Sequence, residues 1–152
     1  MRITICAIGR MRGNPAAEIC QTYSKRLPWH VTVLELEQKK NLKGEKRQQA
    51  EAKLLQEAIP ERATVIALDA RGTILSSQAF ARQIGDYRNE GMVEFAFLIG
   101  GAEGLHHELL KTAEFVLSLG AMTWPHLMAR AMLMEQLYRV HAILSRHPYH
   151  RA

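Results

Sequence analysis

The sequence predicts an α/β fold, a mostly parallel sheet flanked by helices, in a single domain spanning residues 1–152. Three observations carry this expectation. Short apolar runs with strand character take turns with helix-forming stretches along the whole chain, the pattern of crossover connections between parallel strands. The strongest of those runs ends in a cluster of glycines that leads into a helix. The 152 residues are 47% hydrophobic and 23% charged. That suits one core, and no repeat, low-complexity tract or linker divides it.

Arg2 to Ile8 alternates and is rich in isoleucine, which predicts a first strand. Gly9 to Asn14 is a basic loop. Pro15 to Leu27 predicts a helix with proline in its first turn, where a missing N–H costs nothing. Val31 to Glu37, with Val31, Val33, Leu34 and Leu36, predicts a second strand. Gln38 to Gly44 carries Lys39, Lys40 and Lys43 and reads as a mobile loop. Glu45 to Ala58 consists of strong helix formers, and Pro60 ends it. Thr64 to Leu68 is a buried strand stopped by Asp69, with a turn over Ala70 to Leu75 around Gly72. Ser76 or Ser77 caps a helix running to about Asn89, and Gly91 stops it. Val93 to Ile99 is the strongest strand signal. Gly100, Gly101 and Gly104 form a turn into a helix near Leu105 to Thr112. Phe115 to Leu119 is a further strand and Gly120 to Trp124 a loop. Pro125 opens a long helix to about Leu144, and the polar tail SRHPYHRA closes the chain.

Charge and cysteine usage narrow the class. A net charge of +5 favours an anionic partner, nucleic acid first among them. The two cysteines, Cys6 and Cys20, form no CxxC pair and no disulfide framework, as expected in a reducing cytosol. The N-terminal apolar run is too short for a signal peptide. No stretch approaches the ~20 apolar residues of a membrane span. A cytoplasmic protein without membrane contact is expected. The long last helix is apolar around most of its circumference, through Leu127, Met128, Met132, Leu133, Met134, Leu137, Tyr138, Val140, Ile143 and Leu144. It needs cover on more than one side. A second copy of the chain supplies that cover in a homodimer; a central position within the monomer is the alternative.

Two loops are candidates for a ligand site. In Phe95–Gly104, a buried strand delivers the chain to a turn without Cβ atoms at Gly100 and Gly101, so a ligand can approach the backbone. The turn lies at the carboxyl end of a strand, where open α/β sheets bind ligands. It is neither GxGxxG nor a P-loop, and a plain turn is the alternative. Ser118–His126 is a second loop after a strand. Its small residues and apolar wall suit an adenine ring held by backbone groups, while an ordinary strand-to-helix connection is the alternative. Of seven histidines, His126, His141, His147 and His150 follow Thr123. No carboxylate or cysteine accompanies them at ligand spacing, so no metal site is predicted. His141 lies on the apolar helix and reads as packed. His126, His147 and His150 suit RNA contact or proton transfer. With Arg146, Tyr149 and Arg151, the tail combines cations and aromatics suited to an unpaired base and its phosphate. A frayed end is the alternative.

Several segments resemble the RlmH family of ribosomal RNA large subunit methyltransferases, of the SPOUT class. They are Ile99–Leu105 (IGGAEGL), Leu117–His126 (LSLGAMTWPH), Glu135–Arg139 (EQLYR) and His147–Arg151 (HPYHR), with MRITICAIGR at the N-terminus and Val65–Asp69 (VIALD) in support. The resemblance covers nearly the whole chain, and the pairing of TWPH with HPYHR is its most specific part. It implies a SPOUT fold with a C-terminal trefoil knot, which no periodicity indicates. It implies a homodimer acting on the ribosome, with S-adenosylmethionine as cofactor and N3 of a pseudouridine in 23S ribosomal RNA as target. By the same resemblance the cofactor residues are Leu68, Gly100, Leu119, Gly120, Ala121, Met122, Thr123 and Trp124. His150, Tyr149 and Arg151 are the catalytic candidates, completing the site over the partner's cofactor. Arg130, His126 and His147 are the substrate candidates, with Arg139 for phosphate or dimer contacts and Asp69 for the cofactor or a turn cap. The rivals are a non-catalytic ribosome-binding factor, a metal-dependent hydrolase using the C-terminal histidines, and a SPOUT enzyme with another RNA target.

Overall fold

Period-two alternation builds the sheet. In a computed structural model that describes residues 1–151, five strands form: β1 (Arg2–Ile8), β2 (His30–Leu36), β3 (Thr64–Ile74), β4 (Glu94–Ile99) and β5 (Phe115–Ser118). All pair in parallel, in the order β2-β1-β4-β3-β5. The connections are the helices α1 (Ala16–Arg26), α2 (Gly44–Ala58), α3 (Ser77–Asn89) and α4 (His107–Lys111), and α5 (His126–Leu144) follows β5. Ile3, Ile5, Ile66, Phe95 and Phe97 point to one face and pack under α1, α3 and α5. Cys6, Ile8, Ala67 and Leu98 point to the other, with Leu55 of α2 and Leu109 of α4. The result is the α/β architecture with a parallel sheet that the element order predicts.

Local chemistry sets the helix starts. The Asn14 side chain accepts from Ala16 N–H at 2.9 Å, and Ser76 Oγ accepts from Ala79 N–H at 3.1 Å. Each satisfies one of the donors that the first turn leaves free.

One element departs from expectation. The predicted turn over Ala70 to Leu75 is the second half of β3. Leu68 and Thr73 both register with Leu117, so the intervening residues form a bulge and the strand then resumes pairing with β5. The polar sequence DARG reads as a turn because the bulge lifts it from the ladder. Gly72 makes the re-pairing possible: a Cβ there would lie 2.5 Å from the Val116 carbonyl oxygen.

The last helix is covered largely within the single chain. Leu133, Met134, Leu137 and Val140 are fully buried against the sheet, α1 and α3. Of the exposed apolar side chains, Met122, Trp124 and Met128 belong to its N-terminal end and the loop before it and Ile74 to the end of β3, while Ile19, Val33 and Val93 lie on α1, β2 and the approach to β4.

Candidate functional site

The carboxyl ends of β3, β4 and β5 converge on one cleft. Its volume is about 210 Å³. The lining includes Leu68, Ile99 and Leu117, one residue from each strand, with Gly100, Gly101, Gly104 and Leu105 from the turn after β4 and Leu119, Gly120, Met122, Thr123 and Trp124 from the loop after β5. Seven of the eight residues expected to hold a cofactor line this cleft, and Ala121 does not.

Glycine geometry shapes both segments. The chain after β4 folds back so that Gly104 N–H donates to Gly101 C=O at 3.0 Å. A Cβ on Gly100 would lie 2.7 Å from the Gly104 carbonyl carbon, so only glycine permits that approach. In the loop after β5 Gly120 has φ +114°, a conformation that costs other residues strain. Ser118 Oγ ties this turn by donating to Gly120 C=O at 3.1 Å and accepting from Gly120 N–H at 3.3 Å.

Asp69 sits at the cleft edge with its carboxylate forked by Arg71, at 2.7 Å from Nε and 2.9 Å from a terminal nitrogen. Burial pushes its pKa up, but the hydrogen bonds from Arg71 win and hold it below the ordinary carboxylate range. Arg71 also donates to the Leu105 carbonyl at 3.1 Å, which fastens the β3 bulge to the glycine turn. Asp69 thus braces the cleft. Sequence reasoning missed Arg71, because it lay in a segment read as a turn.

His126, the first residue of α5, lines the cleft. Its pKa is depressed, first by burial and then by the positive charge of Arg130, with Glu51 opposing. A histidine depressed in the fold contributes stability that is present above its unfolded pKa of about 6.5 and lost as pH falls through the folded value. His126→Asn is therefore expected to lose less stability than the wild type between neutral and mildly acidic pH, measured by urea unfolding at both. An equal loss would contradict this placement.

Arg130 corrects an expectation. It was a substrate candidate, yet its side chain is 0% exposed. It donates to Glu35 Oε1 at 2.7 Å, to Ile8 C=O at 3.2 Å and to Gly9 C=O at 2.9 Å. Glu35 also accepts from Met11 N–H at 2.9 Å. Arg130 therefore anchors the loop after β1 beneath α5 and cannot touch a substrate.

The tail folds back on α1 and α5. Tyr149 packs edge-on to Tyr138, with ring centroids 4.7 Å apart, and under the Arg139 guanidinium at 4.9 Å. Its hydroxyl donates to Glu135 at 2.9 Å and meets Tyr23 Oη at 3.1 Å. Burial, then these hydrogen bonds, push its pKa far above the ordinary tyrosine value. His150 Nδ1 lies 3.5 Å from Arg139, and its Nε2 is buried without a partner among the described residues. His147 and Arg151 are exposed. The tail residues do not line their own chain's cleft.

Two further features bound the chemistry. Burial pushes the Cys6 thiol up to about 11 and raises Cys20 as well, so neither is a thiolate nucleophile at neutral pH. Among the described residues, no group of three or more His, Cys, Asp or Glu side chains could hold a metal ion, and no helix is long and apolar enough to cross a membrane.

A parallel five-stranded sheet with a glycine-walled cleft at its carboxyl edge is a setting in which open α/β proteins bind ligands. The family described as "Predicted SPOUT methyltransferase" matches residues 1–150. Among solved structures, a probable methylase family protein from Haemophilus influenzae superposes with TM-score 0.62 at 16% identity, covering 99% of this chain and 70% of that one. TrmJ from Z. mobilis superposes with TM-score 0.59 at 12% identity, covering 91% and 68%. These two likenesses concern the fold. Sequence relatives are closer. A protein from Rhodospirillum centenum named ribosomal RNA large subunit methyltransferase H is 46% identical over 152 residues, all of both chains. One of the same name from Paramagnetospirillum magneticum is 42% identical, covering 99% of each. The chain belongs to this family of SPOUT methyltransferases, the RlmH family that its motifs resemble.

Proposed function

We propose that the chain transfers a methyl group from S-adenosylmethionine to N3 of a pseudouridine in large-subunit ribosomal RNA, acting as a homodimer on assembled ribosomes in the cytoplasm. The observation that carries this reading is the cleft itself: the cofactor candidates from three separate chain segments share its walls. The relatives' names point to the same RNA.

The walls suit the cofactor. Apolar Leu68, Ile99, Leu117, Leu119 and Met122 offer a slot for a flat ring, while the glycine turns leave the main chain open to its polar edges. S-adenosylmethionine supplies a methyl carbon made electrophilic by its sulfonium. The protein's task is to set N3 in line with it, which is a matter of positioning, and to receive the N3 proton. Of the three catalytic candidates, Tyr149 keeps its proton because its pKa is raised, and arginine stays charged. His150 is the acceptor, since a neutral imidazole offers one acceptor nitrogen. The tail lies away from its own cleft, and exposed Met122 and Trp124 border that cleft. A second copy covering these side chains brings its tail to the site. His126 lines the same cleft, and exposed His147 and Arg151 are free to meet RNA.

Gly100→Ala is expected to weaken S-adenosylmethionine binding at least tenfold by calorimetry with the circular dichroism spectrum unchanged, because its Cβ has no room. Unaltered affinity would remove the glycine turn from the cofactor site. The overall reading is tested with labelled cofactor on assembled ribosomes, free subunits and naked RNA, all from a strain lacking the enzyme. Label should enter assembled ribosomes best. A chain that binds no cofactor would be a ribosome-binding factor, and label in transfer RNA would indicate another target.

A further inference from the structure

A second cavity opens on the same edge of the sheet, beyond β1. Its volume is about 350 Å³, and it is lined by Ile8, Gly9, Glu37, Gln38, Lys39 and Arg47. It adjoins the methyl-transfer cleft at two points. His126 lines the cleft, and its Nε2 lies 3.0 Å from where a Cβ on Gly9 would stand; the Glu51 carboxylate oxygens lie 3.0 and 3.2 Å from the same point on Gly101.

The charges in this cavity are unevenly used. Glu37 is occupied by Arg10 at 2.9 Å. Lys39 has no ion pair among the described residues. Arg47 donates to Glu51 Oε1 at 2.7 Å through Nε alone, and its two terminal nitrogens make no hydrogen bond among the described residues. The Glu51 side chain is only 2% exposed, and its Oε2 has no partner among the described residues. Burying a half-satisfied carboxylate costs stability. What it accomplishes here is to hold Arg47 by the stem side of the guanidinium, leaving the terminal nitrogens of a cavity-lining side chain without a protein partner among the described residues. A planar fork of N–H donors beside an ammonium matches a phosphate. Lys40, Lys43 and Lys46 extend the positive field along the adjoining loop and helix.

We propose that this cavity is a phosphate subsite for the RNA strand that carries the target nucleotide, with Arg47 and Lys39 as its ligands and Glu51 as the residue that positions Arg47. It rests on the reading of the adjoining cleft as the methyl-transfer site. The subsite lies beside that cleft, so gripping a neighbouring backbone phosphate sets the register of the base. Phosphate contacts position a nucleic acid without reading its sequence.

The test uses the full chain and assembled ribosomes in a KCl series at fixed magnesium. Arg47→Ala and Lys39→Ala are each expected to raise KM for ribosomes about tenfold, with kcat and cofactor affinity unchanged. Each should flatten the plot of log kcat/KM against log salt by roughly one unit of slope, the signature of one lost phosphate contact. Lys25→Ala, a charge removed from exposed α1, should change none of these. Glu51→Gln should raise KM and add nothing further on top of Arg47→Ala, because both act through one guanidinium. If Glu51→Gln does not fold, the two cation variants decide alone. Unchanged KM and salt slope would overturn the subsite. A loss confined to cofactor affinity would also overturn it, assigning the cavity to the carboxylate of the cofactor. If the wild type transfers no methyl group, the function reading fails, and the subsite is then judged by the salt slope of ribosome binding in co-sedimentation.

Discussion

Deleting the residues after Ser145 is expected to lower methyl transfer by about 10²–10⁴-fold, the range of a lost acid–base group, while sparing cofactor binding. The reason is spatial. The cleft is complete in its walls without the tail, and the tail residues do not line their own chain's cleft. His150→Ala should reproduce most of the loss without removing the packing of Tyr149 on Tyr138 and Tyr23. A mixing experiment separates the two halves of the site. Tail-deleted protein keeps its cleft, and Gly100→Ala protein keeps its tail. In a mixed dimer one cleft and one tail are both intact, so activity at limiting cofactor should rise above that of either protein alone when the two exchange subunits. Full activity in the truncated protein would sink the proposed role of the tail. Mixed dimers without recovery would sink its action across subunits.

The second large effect concerns stability. Arg130→Ala is expected to destabilise the fold by about 3 kcal/mol, the lower end of the range for breaking a buried ion pair. The guanidinium is fully buried, but Glu35 is 33% exposed and can turn to water when its partner goes. The buried carbonyl of Ile8 has no such escape. Burial lowers the Arg130 pKa, and Glu35 pulls it back up; the group nonetheless remains charged. In a domain stabilised by roughly 5–15 kcal/mol, this loss is visible as a shift of the urea midpoint. Arg130→Met should recover part of it, since an apolar side chain leaves no empty space. A change below about 1 kcal/mol would mean that Arg130 is not the anchor of the loop after β1.

The same residue shows how far the sequence was legible. Alternation in β1 and the continuous apolar run of β4 mark the strands, so the order of strands and helices could be read from them. The β3 bulge could not, because DARG carries turn chemistry and only the return of pairing at Thr73 reveals a strand. Arg130 lies on a helix apolar all round, which hinted at burial, but an arginine in a basic chain reads first as an RNA contact. Its partner Glu35 is 95 positions away. Glu51 was invisible for a related reason. In EKRQQAEAK it looks like one charge on a solvated helix, and only the packing of α2 against the glycine turn buries it. The two cofactor loops were legible because glycines after strands have few other uses at a sheet's carboxyl edge. The knot was expected from resemblance alone, since threading order leaves no periodic trace.

The central claim is the identity of the methylated atom. Ribosomes from a strain lacking the enzyme, treated with the wild-type chain and S-adenosylmethionine, are digested and their nucleosides separated by mass spectrometry. The account predicts one added methyl group per large-subunit RNA, on N3 of a single pseudouridine. A methyl group on any other nucleoside, or none at all, would contradict it.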